Sequence, residues 1–299
     1  MVEQGAKVFV TARGKEKLDA AIADIKEKTG GDITGITADS SRPEECKKVF
    51  EKALEAYGDI DVLINNAGKG ELITIDAVSD EVIDQVVDTN MKGPLYLCRE
   101  AVRYFLKKDS GNIINISSVN GIRPMCGAAY CATKGGLNTL TKNVAIRCTG
   151  TGVRCNAVAP GHTPSPTAYA HDDGGPQTLA EGVMNEVRNT RTVRSVHPWE
   201  IDQAYAVLFL ASDMSRCING EVLSVDCGCY FIIIEIVFSN VGIRFPGCRH
   251  LLYHEDKRAH DLAFWDCKLY RFLEWPAVER HPADKRYDCD TVLKWHMYK

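Results

Sequence analysis

The strongest constraint on the fold is an alternation of short apolar runs with longer helical segments over the first 228 residues. The apolar runs are KVFVTA (7–12), ITGITA (33–38), IDVLIN (60–65), NIINIS (112–117), VRCNAVA (153–159) and EVLSVD (221–226). Their apolar residues do not alternate with polar ones, which is typical of strands that are buried on both faces. Because a helical segment follows most of these runs, the pattern predicts an α/β fold with a doubly wound parallel sheet.

Composition excludes several classes of partner. The chain has 299 residues, a net charge of -4 and a pI near 6.1, which argues against binding to nucleic acid or to an anionic membrane. The longest strongly apolar run, residues 231–238, is too short to span a bilayer. The N-terminus lacks the apolar segment of a signal peptide. We therefore expect a cytoplasmic protein whose 12 cysteines are mostly reduced core residues.

Tyr130 and Lys134, in the segment YCATK, give the sharpest chemical signal. They are four residues apart at the start of a predicted helix, so both side chains lie on one face and reach a shared ligand. A neighbouring ammonium group favours the phenolate and lowers the tyrosine pKa, which makes the phenol a general acid/base near neutral pH. On its own this spacing is common, and the alternative is a half-buried tyrosine beside a solvated lysine.

Further polar residues lie near the carboxyl ends of predicted strands, where open α/β sheets bind ligands. Ser118 follows the strand at 112–117, and its hydroxyl can donate to a carbonyl or alkoxide oxygen. Ser117 is the alternative, because only one of the two neighbours faces the site. Small residues after the strand at 60–65 let a ligand approach the backbone. Asn90 lies inside a predicted helical stretch, where its amide either competes for backbone groups or is solvated surface.

Taken together, these segments resemble the short-chain dehydrogenase/reductase family. The matching segments are NNAG (65–68), Asn90, Ser118, the Tyr130–Lys134 pair, NAVAPG (156–161) and GEVLSVDCG (220–228). They keep the family's order and approximate spacing over about residues 2–228, which makes the resemblance specific. It implies a Rossmann-like sheet, a homodimer or homotetramer if the sheet is intact, and hydride transfer between NADP or NAD and a small-molecule alcohol or ketone.

The resemblance also implies a role for each matching residue. Tyr130 would move the proton to or from the substrate oxygen, and Lys134 would lower the pKa of Tyr130 and hold the nicotinamide ribose hydroxyls. Ser118 would bind the substrate oxygen, and Asn90 would hold a water in a proton relay with Lys134. The residues expected to line the cofactor are Asn66, Ala67, Gly68, Pro160 and Gly161.

Cofactor choice is expected to depend on the residues that follow the run at 7–12. Folds that prefer NAD place an acidic residue there for the ribose 2′-hydroxyl. Here Ala12 is followed by Arg13, and an arginine suits the charge and geometry of a 2′-phosphate. We therefore favour NADP, with NAD as the alternative. By the same resemblance, Asp39 would contact the adenine amine.

The chain departs from the family pattern at its start. The family begins with a strand and a glycine-rich turn that binds the diphosphate at a helix N-terminus. We find neither, because VEQG (2–5) is typical of the end of a helix. Since the family's first strand is central, we expect the strands at 7–12 and 33–38 to lose their neighbour at 60–65. The run at 231–238 is too far along the sheet to fill this position in cis, although a partner chain can supply such a strand.

Two segments break the βα rhythm. Residues 161–198 are rich in proline, glycine and polar residues, and we interpret them as a loop that covers the substrate, with a surface insertion as the alternative. Residues 229–299 are expected to form a C-terminal extension to the domain at 1–228. This extension holds five of the eight histidines, but the spacing of its histidines and cysteines is not that of a structural zinc site, and we expect no metal.

The sequence thus predicts an NAD(P)-dependent oxidoreductase that interconverts a secondary alcohol and a ketone. Its substrate is expected to be apolar or a modest polyol, steroid or acyl compound. The alternative is a non-catalytic protein that keeps the acid/base residues without a competent cofactor site. Binding of NADPH to the folded chain discriminates between the two.

Overall fold

Six parallel strands and six α-helices form the part of the chain that the structure, a computed structural model, describes: residues 1–163 and 200–228. The strands are β1 (Val8–Ala12), β2 (Ile33–Thr37), β3 (Val62–Asn65), β4 (Gly111–Ile116), β5 (Val153–Pro160) and β6 (Val222–Val225). The helices are α1 (Lys15–Thr29), α2 (Pro43–Tyr57), α3 (Asp80–Val87), α4 (Gly93–Lys108), α5 (Ala128–Arg147) and α6 (Glu200–Ala211). The α/β fold predicted from the alternating pattern is confirmed.

The helix ends follow from local sequence. Helices α1 and α2 both stop at a glycine in the left-handed region, Gly30 at φ 64° and Gly58 at φ 78°, where other residues are strained. Helix α2 starts with Pro43. Proline has no backbone N–H, and at the first helical position an N–H would have no intrahelical acceptor, so nothing is lost. In the described ranges, no helix combines the length and the apolar character that crossing a membrane requires.

The strands form two separate sheets in the described part of the chain. Strand β1 pairs with β2, and a second sheet has the order β3-β4-β5-β6, with every pairing parallel. Within the described residues β1 and β3 do not pair, so the sheet is interrupted at the position that the sequence predicts. The carboxyl ends of β4 and β5 still lie next to each other, where parallel sheets bind ligands.

The core covers both faces of the second sheet. Ile113 and Ile114 are neighbours in β4 and point to opposite faces, as the two-residue period of a strand requires. Ile113 packs with Phe105 of α4 and Val144 of α5, whereas Ile114 packs with Leu210 of α6. Buried cysteines contribute to the core as small apolar residues, in line with the expectation from composition: Cys46, Cys98, Cys131, Cys148 and Cys155.

Helix α2 connects the two-stranded sheet to this core. Phe50 of α2 belongs to the cluster that contains Phe105. At the other end of α2, the Tyr57 hydroxyl donates to Asp32 Oδ1 at 3.0 Å, and its oxygen lies 3.3 Å from the carbonyl oxygen of Val8. The β1–β2 pair is therefore held in place by helix packing.

Two predicted segments fall largely or wholly outside the described residues. The predicted covering loop, residues 161–198, is described only up to residue 163. The predicted C-terminal extension, residues 229–299, with the apolar run at 231–238, lies entirely outside. The division of the chain at residue 228 therefore stays a prediction.

Candidate active site

Tyr130, Lys134 and Ser118 meet at the carboxyl end of β4. Tyr130 lies in the first turn of α5, and Lys134 follows one turn later on the same face. The Ser118 side chain lies close enough to the Tyr130 hydroxyl to lower the pKa of the phenol. The Lys134 Nζ atom lies 5.7 Å from the centroid of the Tyr130 ring. The structure thus brings together three residues that the sequence analysis singled out.

Burial controls the protonation of Tyr130. It raises the pKa of the phenol, and the hydrogen bond with the Ser118 hydroxyl offsets only part of that effect. Lys134 is not among the groups that shift this pKa in the chain as described, and the lowering of the Tyr130 pKa by Lys134 stays a prediction. At neutral pH the phenol is therefore protonated and able to donate a proton.

Lys134 is a buried cation with one hydrogen bond to the protein. Its side chain is 4% exposed, and its Nζ atom donates to the carbonyl oxygen of Ile116 at 2.7 Å. Burial lowers the pKa of Lys134 to about 8, because the charged form loses its hydration. An ammonium group held in this way has hydrogens left for hydroxyl groups of a ligand.

Ser117 and Ser118 have different partners. The Ser118 hydroxyl accepts from the backbone N–H of Asn120 at 3.1 Å, and it lies near enough to Tyr130 to lower the pKa of the phenol. The Ser117 hydroxyl donates to the carbonyl oxygen of Lys134 at 3.2 Å, and the Ser117 N–H donates to Val158 at 2.7 Å. Ser117 therefore fastens α5 to the sheet, and Ser118 is the serine that reaches the phenol.

Asn90 lies in a single π-helical turn, Asp88–Lys92, between α3 and α4 and is fully buried. Its Oδ1 accepts from the Lys69 N–H at 2.7 Å, and its Nδ2 donates to the Lys69 carbonyl at 2.9 Å. Nδ2 also lies 3.3 Å from the Thr133 hydroxyl. The side chain of Asn90 therefore holds the loop after β3. The water that the resemblance assigns to Asn90 stays a prediction. The contacts with Lys69 and Thr133 already occupy most of the hydrogen-bonding capacity of the Asn90 amide.

Small residues form the walls beside Lys134. A Cβ atom added at Gly68 would lie 3.4 Å from Lys134 Nζ and 3.5 Å from Asn90 Oδ1, so the Gly68 backbone lies directly beside both polar groups. A cavity of about 220 Å³ is lined by Asn66, Gly68, Gly70, Ile116, Ser117, Ser118, Tyr130, Lys134, Pro160 and Gly161. Glycines that leave the backbone open beside a buried cation fit the nicotinamide ribose end of a dinucleotide. Ala67 does not contribute to this lining.

Arg13 and Asp39 lie at the carboxyl ends of β1 and β2, away from this cavity. Asp39 Oδ1 accepts from the Ser41 hydroxyl at 2.7 Å and from the Ser41 N–H at 3.0 Å. These two bonds lower the pKa of Asp39, and the positive charges of Arg13 and Arg42 contribute further. Arg42 was not singled out from the sequence. One carboxylate oxygen of Asp39 is already occupied, so an adenine contact is left to its other oxygen or its backbone.

A larger cavity, of about 440 Å³, has mainly apolar walls. Its lining residues are Leu72, Ile73, Thr74, Ile75, Asn120, Gly121, Pro124, Cys126, Ala128, Cys131 and Ala132. It contains none of the predicted catalytic residues, so we place the chemistry in the smaller cavity. The loop after β3, which supplies Leu72–Ile75, gave no signal in the sequence because its apolar residues follow no helix or strand period.

Comparisons with known proteins agree with this geometry. The family model described as short chain dehydrogenase matches residues 1–174. The chain is 33% identical over 230 residues to 3beta-hydroxysteroid dehydrogenase 2 of Eggerthella lenta, covering 76% of this chain and 86% of that protein. It is 35% identical over 232 residues to the 3-oxoacyl-[acyl-carrier-protein] reductase FabG of Staphylococcus aureus, covering 77% and 90%.

Solved structures give the same result. ElxO with NADP bound superposes with a TM-score of 0.67 at 26% identity, covering 76% of this chain and 90% of that one. A variant of actinorhodin polyketide ketoreductase with NADPH superposes with a TM-score of 0.68 at 28% identity, covering 77% and 89%. The tyrosine, lysine and serine at the end of β4, the parallel sheet and these likenesses lead to one conclusion: the chain belongs to the short-chain dehydrogenase family of oxidoreductases.

Proposed function

We propose that this chain reduces a ketone to a secondary alcohol, and catalyses the reverse oxidation, with NADP(H) as the hydride carrier. The observation that carries the proposal is that Tyr130, Ser118 and the buried Lys134 line one cavity at the carboxyl end of β4. A nicotinamide cofactor, when bound, supplies or accepts the hydride. What the protein must then provide is a proton at the substrate oxygen and a polar environment for that oxygen.

Proton transfer to the substrate oxygen is assigned to Tyr130. During reduction the carbonyl oxygen gains negative charge, and the protonated phenol donates to it. The Ser118 hydroxyl donates a second hydrogen bond to the same oxygen and stabilises the charge. Because burial raises the pKa of Tyr130, the phenol holds its proton at neutral pH, which favours reduction. Alcohol oxidation needs the phenolate and is expected to speed up as pH rises.

Positioning of the cofactor is assigned to the groups that line the smaller cavity. Lys134 would hold the ribose hydroxyls with its ammonium hydrogens, and Asn66, Gly68 and the Pro160–Gly161 pair would line the ring. Asn90 supports them indirectly, since it fixes the backbone of Lys69 next to Gly68.

The preference for NADP is assigned to Arg13. Arg13 and Arg42 both lie close enough to Asp39 to lower its pKa, so two guanidinium groups share this end of the β1–β2 sheet. A guanidinium group can bind two oxygens of one phosphate at the same time through two parallel hydrogen bonds. The similar structures of ElxO and of actinorhodin ketoreductase, determined with NADP and NADPH, support this choice.

Replacing Arg13 with alanine is therefore expected to reduce the preference for NADPH over NADH by about 10–100-fold, because a hydrogen bond to a charged group is lost. Dissociation constants for both cofactors, measured by cofactor fluorescence, give the preference. Arg103→Ala, on the exposed side of α4, is the control and should leave it unchanged. A ratio unaffected by Arg13→Ala would assign the preference to other residues.

The substrate is proposed to be an apolar ketone. Similar proteins are named for 3-oxoacyl-[acyl-carrier-protein] reduction and for 3beta-hydroxysteroid dehydrogenation. The apolar 440 Å³ cavity borders α5 at Ala128 and Cys131, next to Tyr130 in the chain. The test is NADPH consumption with a 3-oxoacyl thioester, a 3-oxosteroid and a small polar ketone. Turnover should be fastest with the two apolar substrates, and no NADPH consumption with any of them would refute the proposed activity.

A second candidate is a protein that keeps these residues but performs no turnover. The interruption between β1 and β3, within the described residues, favours it. Dinucleotides bind across the centre of such sheets, so this interruption affects the diphosphate region more than Tyr130. Cofactor binding by the full chain separates the two candidates.

A further inference from the structure

Glu71 is a buried carboxylate next to the catalytic helix. Glu71 lies in the loop after β3 and is only 6% exposed. Oε1 accepts from the backbone N–H of Tyr130 at 3.0 Å, and Oε2 accepts from the N–H of Ile73 at 2.7 Å. The Glu71 carbonyl oxygen accepts from the Gly127 N–H at 3.1 Å. One acidic residue therefore joins this loop to the start of α5 by side chain and backbone.

Helix α5 has no capping side chain of its own. Its N-cap residue is Gly127, and its first turn contains no acidic residue. An N-cap side chain normally accepts from the N–H two or three positions into the helix, and Tyr130 occupies the third. Glu71 makes that bond from a different part of the chain. Its negative charge also suits the positive end of the helix dipole.

The absence of a side chain at Gly127 admits this carboxylate. A Cβ atom added there would lie 1.7 Å from Glu71 Oε2 and 2.0 Å from its Cδ, which is impossible without movement. Gly127 has φ -59° and ψ 152°, a conformation that any residue adopts. Space for Glu71, and not backbone strain, is therefore what requires glycine at position 127.

The same loop is fixed at a second point. Asn90 holds the backbone of Lys69 on both its N–H and its carbonyl sides. The loop is thus attached at Lys69 and at Glu71. The residues that follow, Leu72–Ile75, form one wall of the 440 Å³ cavity. Movement of Glu71 would therefore displace both the first turn of α5 and the cavity wall.

We propose that Glu71 is a positioning residue, which caps α5 in trans and thereby sets the Tyr130 phenol against Ser118 and the wall of the apolar cavity. The inference rests on the proposed function for its kinetic consequences. A carboxylate is required because both of its oxygens accept from backbone N–H groups, and an amide offers only one acceptor.

The first test is Glu71→Ala in the full chain. We expect faster hydrogen–deuterium exchange at residues 128–131, with exchange in the rest of α5 unchanged. We also expect kcat for ketone reduction to fall by about tenfold, with NADPH affinity within about twofold of wild type, since displacement of the phenol affects the transition state. Glu71→Gln should give an intermediate kcat. Ser212→Ala removes a cap near the end of α6 and should leave kcat unchanged.

The second test moves the cap into the helix itself. Gly127→Asp alone should lower kcat and the melting temperature, because its side chain overlaps Glu71 and adds a like charge. In the Glu71→Ala background the same substitution should raise both, because an N-cap aspartate accepts from the Tyr130 N–H without hindrance. A purely structural role would restore the melting temperature but not kcat measured well below it.

Each outcome of these tests decides the inference. Opposite effects of Gly127→Asp on kcat and melting temperature in the two backgrounds would support it, whereas recovery of the melting temperature without kcat would overturn it. Unchanged kcat in Glu71→Ala despite faster exchange would overturn it, and so would unchanged exchange. If the wild-type chain performs no turnover, the proposed function fails, while exchange at residues 128–131 still tests the contact that Glu71 makes.

Discussion

Replacing Tyr130 with phenylalanine is expected to lower kcat for ketone reduction by about 10²–10⁴-fold, because the substrate oxygen loses its proton donor. The phenol lines the same cavity as Ser118 at the end of β4, and phenylalanine keeps the ring that lies beside Lys134. Steady-state and single-turnover NADPH oxidation give kcat and the chemical step.

The control for this substitution is Tyr205→Phe. Tyr205 is 61% exposed on α6, so its variant should match wild type. NADPH affinity should stay within about twofold in both variants, because a group that acts only in the transition state does not contribute to binding in the ground state. If Tyr130→Phe retained more than about a tenth of the wild-type kcat, general acid catalysis by Tyr130 would be wrong.

Replacing Lys134 with methionine is expected to stabilise the fold at pH 7 by about 1–3 kcal/mol while abolishing turnover. Burial lowers the pKa of Lys134 from 10.5 to about 8, which corresponds to a destabilisation on the order of 3 kcal/mol when the amine is charged. Loss of the bond to the Ile116 carbonyl offsets part of the gain. A lysine that destabilises its own fold is best explained by its role in the site.

The pH dependence of this effect has a definite sign. The pKa of Lys134 is lower in the folded chain than in the unfolded chain, so between pH 8 and 10.5 the unfolded chain holds more protons. The free energy of unfolding of the wild type therefore increases as pH rises through this window. The advantage of Lys134→Met should therefore shrink across this window. Denaturant unfolding at pH 7 and near pH 10 measures it, with the exposed Lys142→Met as the control. A variant less stable than wild type at pH 7, or an advantage independent of pH, would contradict the assignment.

Much of the fold follows from local sequence. The apolar runs predicted all six described strands, and the structure ends α1 at Gly30 and α2 at Gly58. The interruption between β1 and β3 also followed from the family strand order. The π-helical turn at Asp88–Lys92 was missed, because its residues continue the helical pattern on both sides.

The candidate site was predictable in its parts but not in its contacts. The four-residue spacing of Tyr130 and Lys134 fixes their common helix face. The direction of the Tyr130 pKa shift depends on burial, which no local pattern reports. Glu71 lies 59 positions before Tyr130, in a loop without periodicity, so only the folded chain reveals that the two meet. Arg42 likewise becomes relevant only once β1 and β2 pair.

Binding of NADPH to the folded chain tests the central claim most directly. Titration with fluorescence energy transfer and thermal denaturation should show saturable binding, with a dissociation constant at or below about 100 μM and a matching rise in melting temperature. Tyr130→Phe should bind equally well. A chain that is folded by circular dichroism but shows neither saturation nor stabilisation at about 1 mM NADPH would contradict an oxidoreductase and favour the non-catalytic candidate.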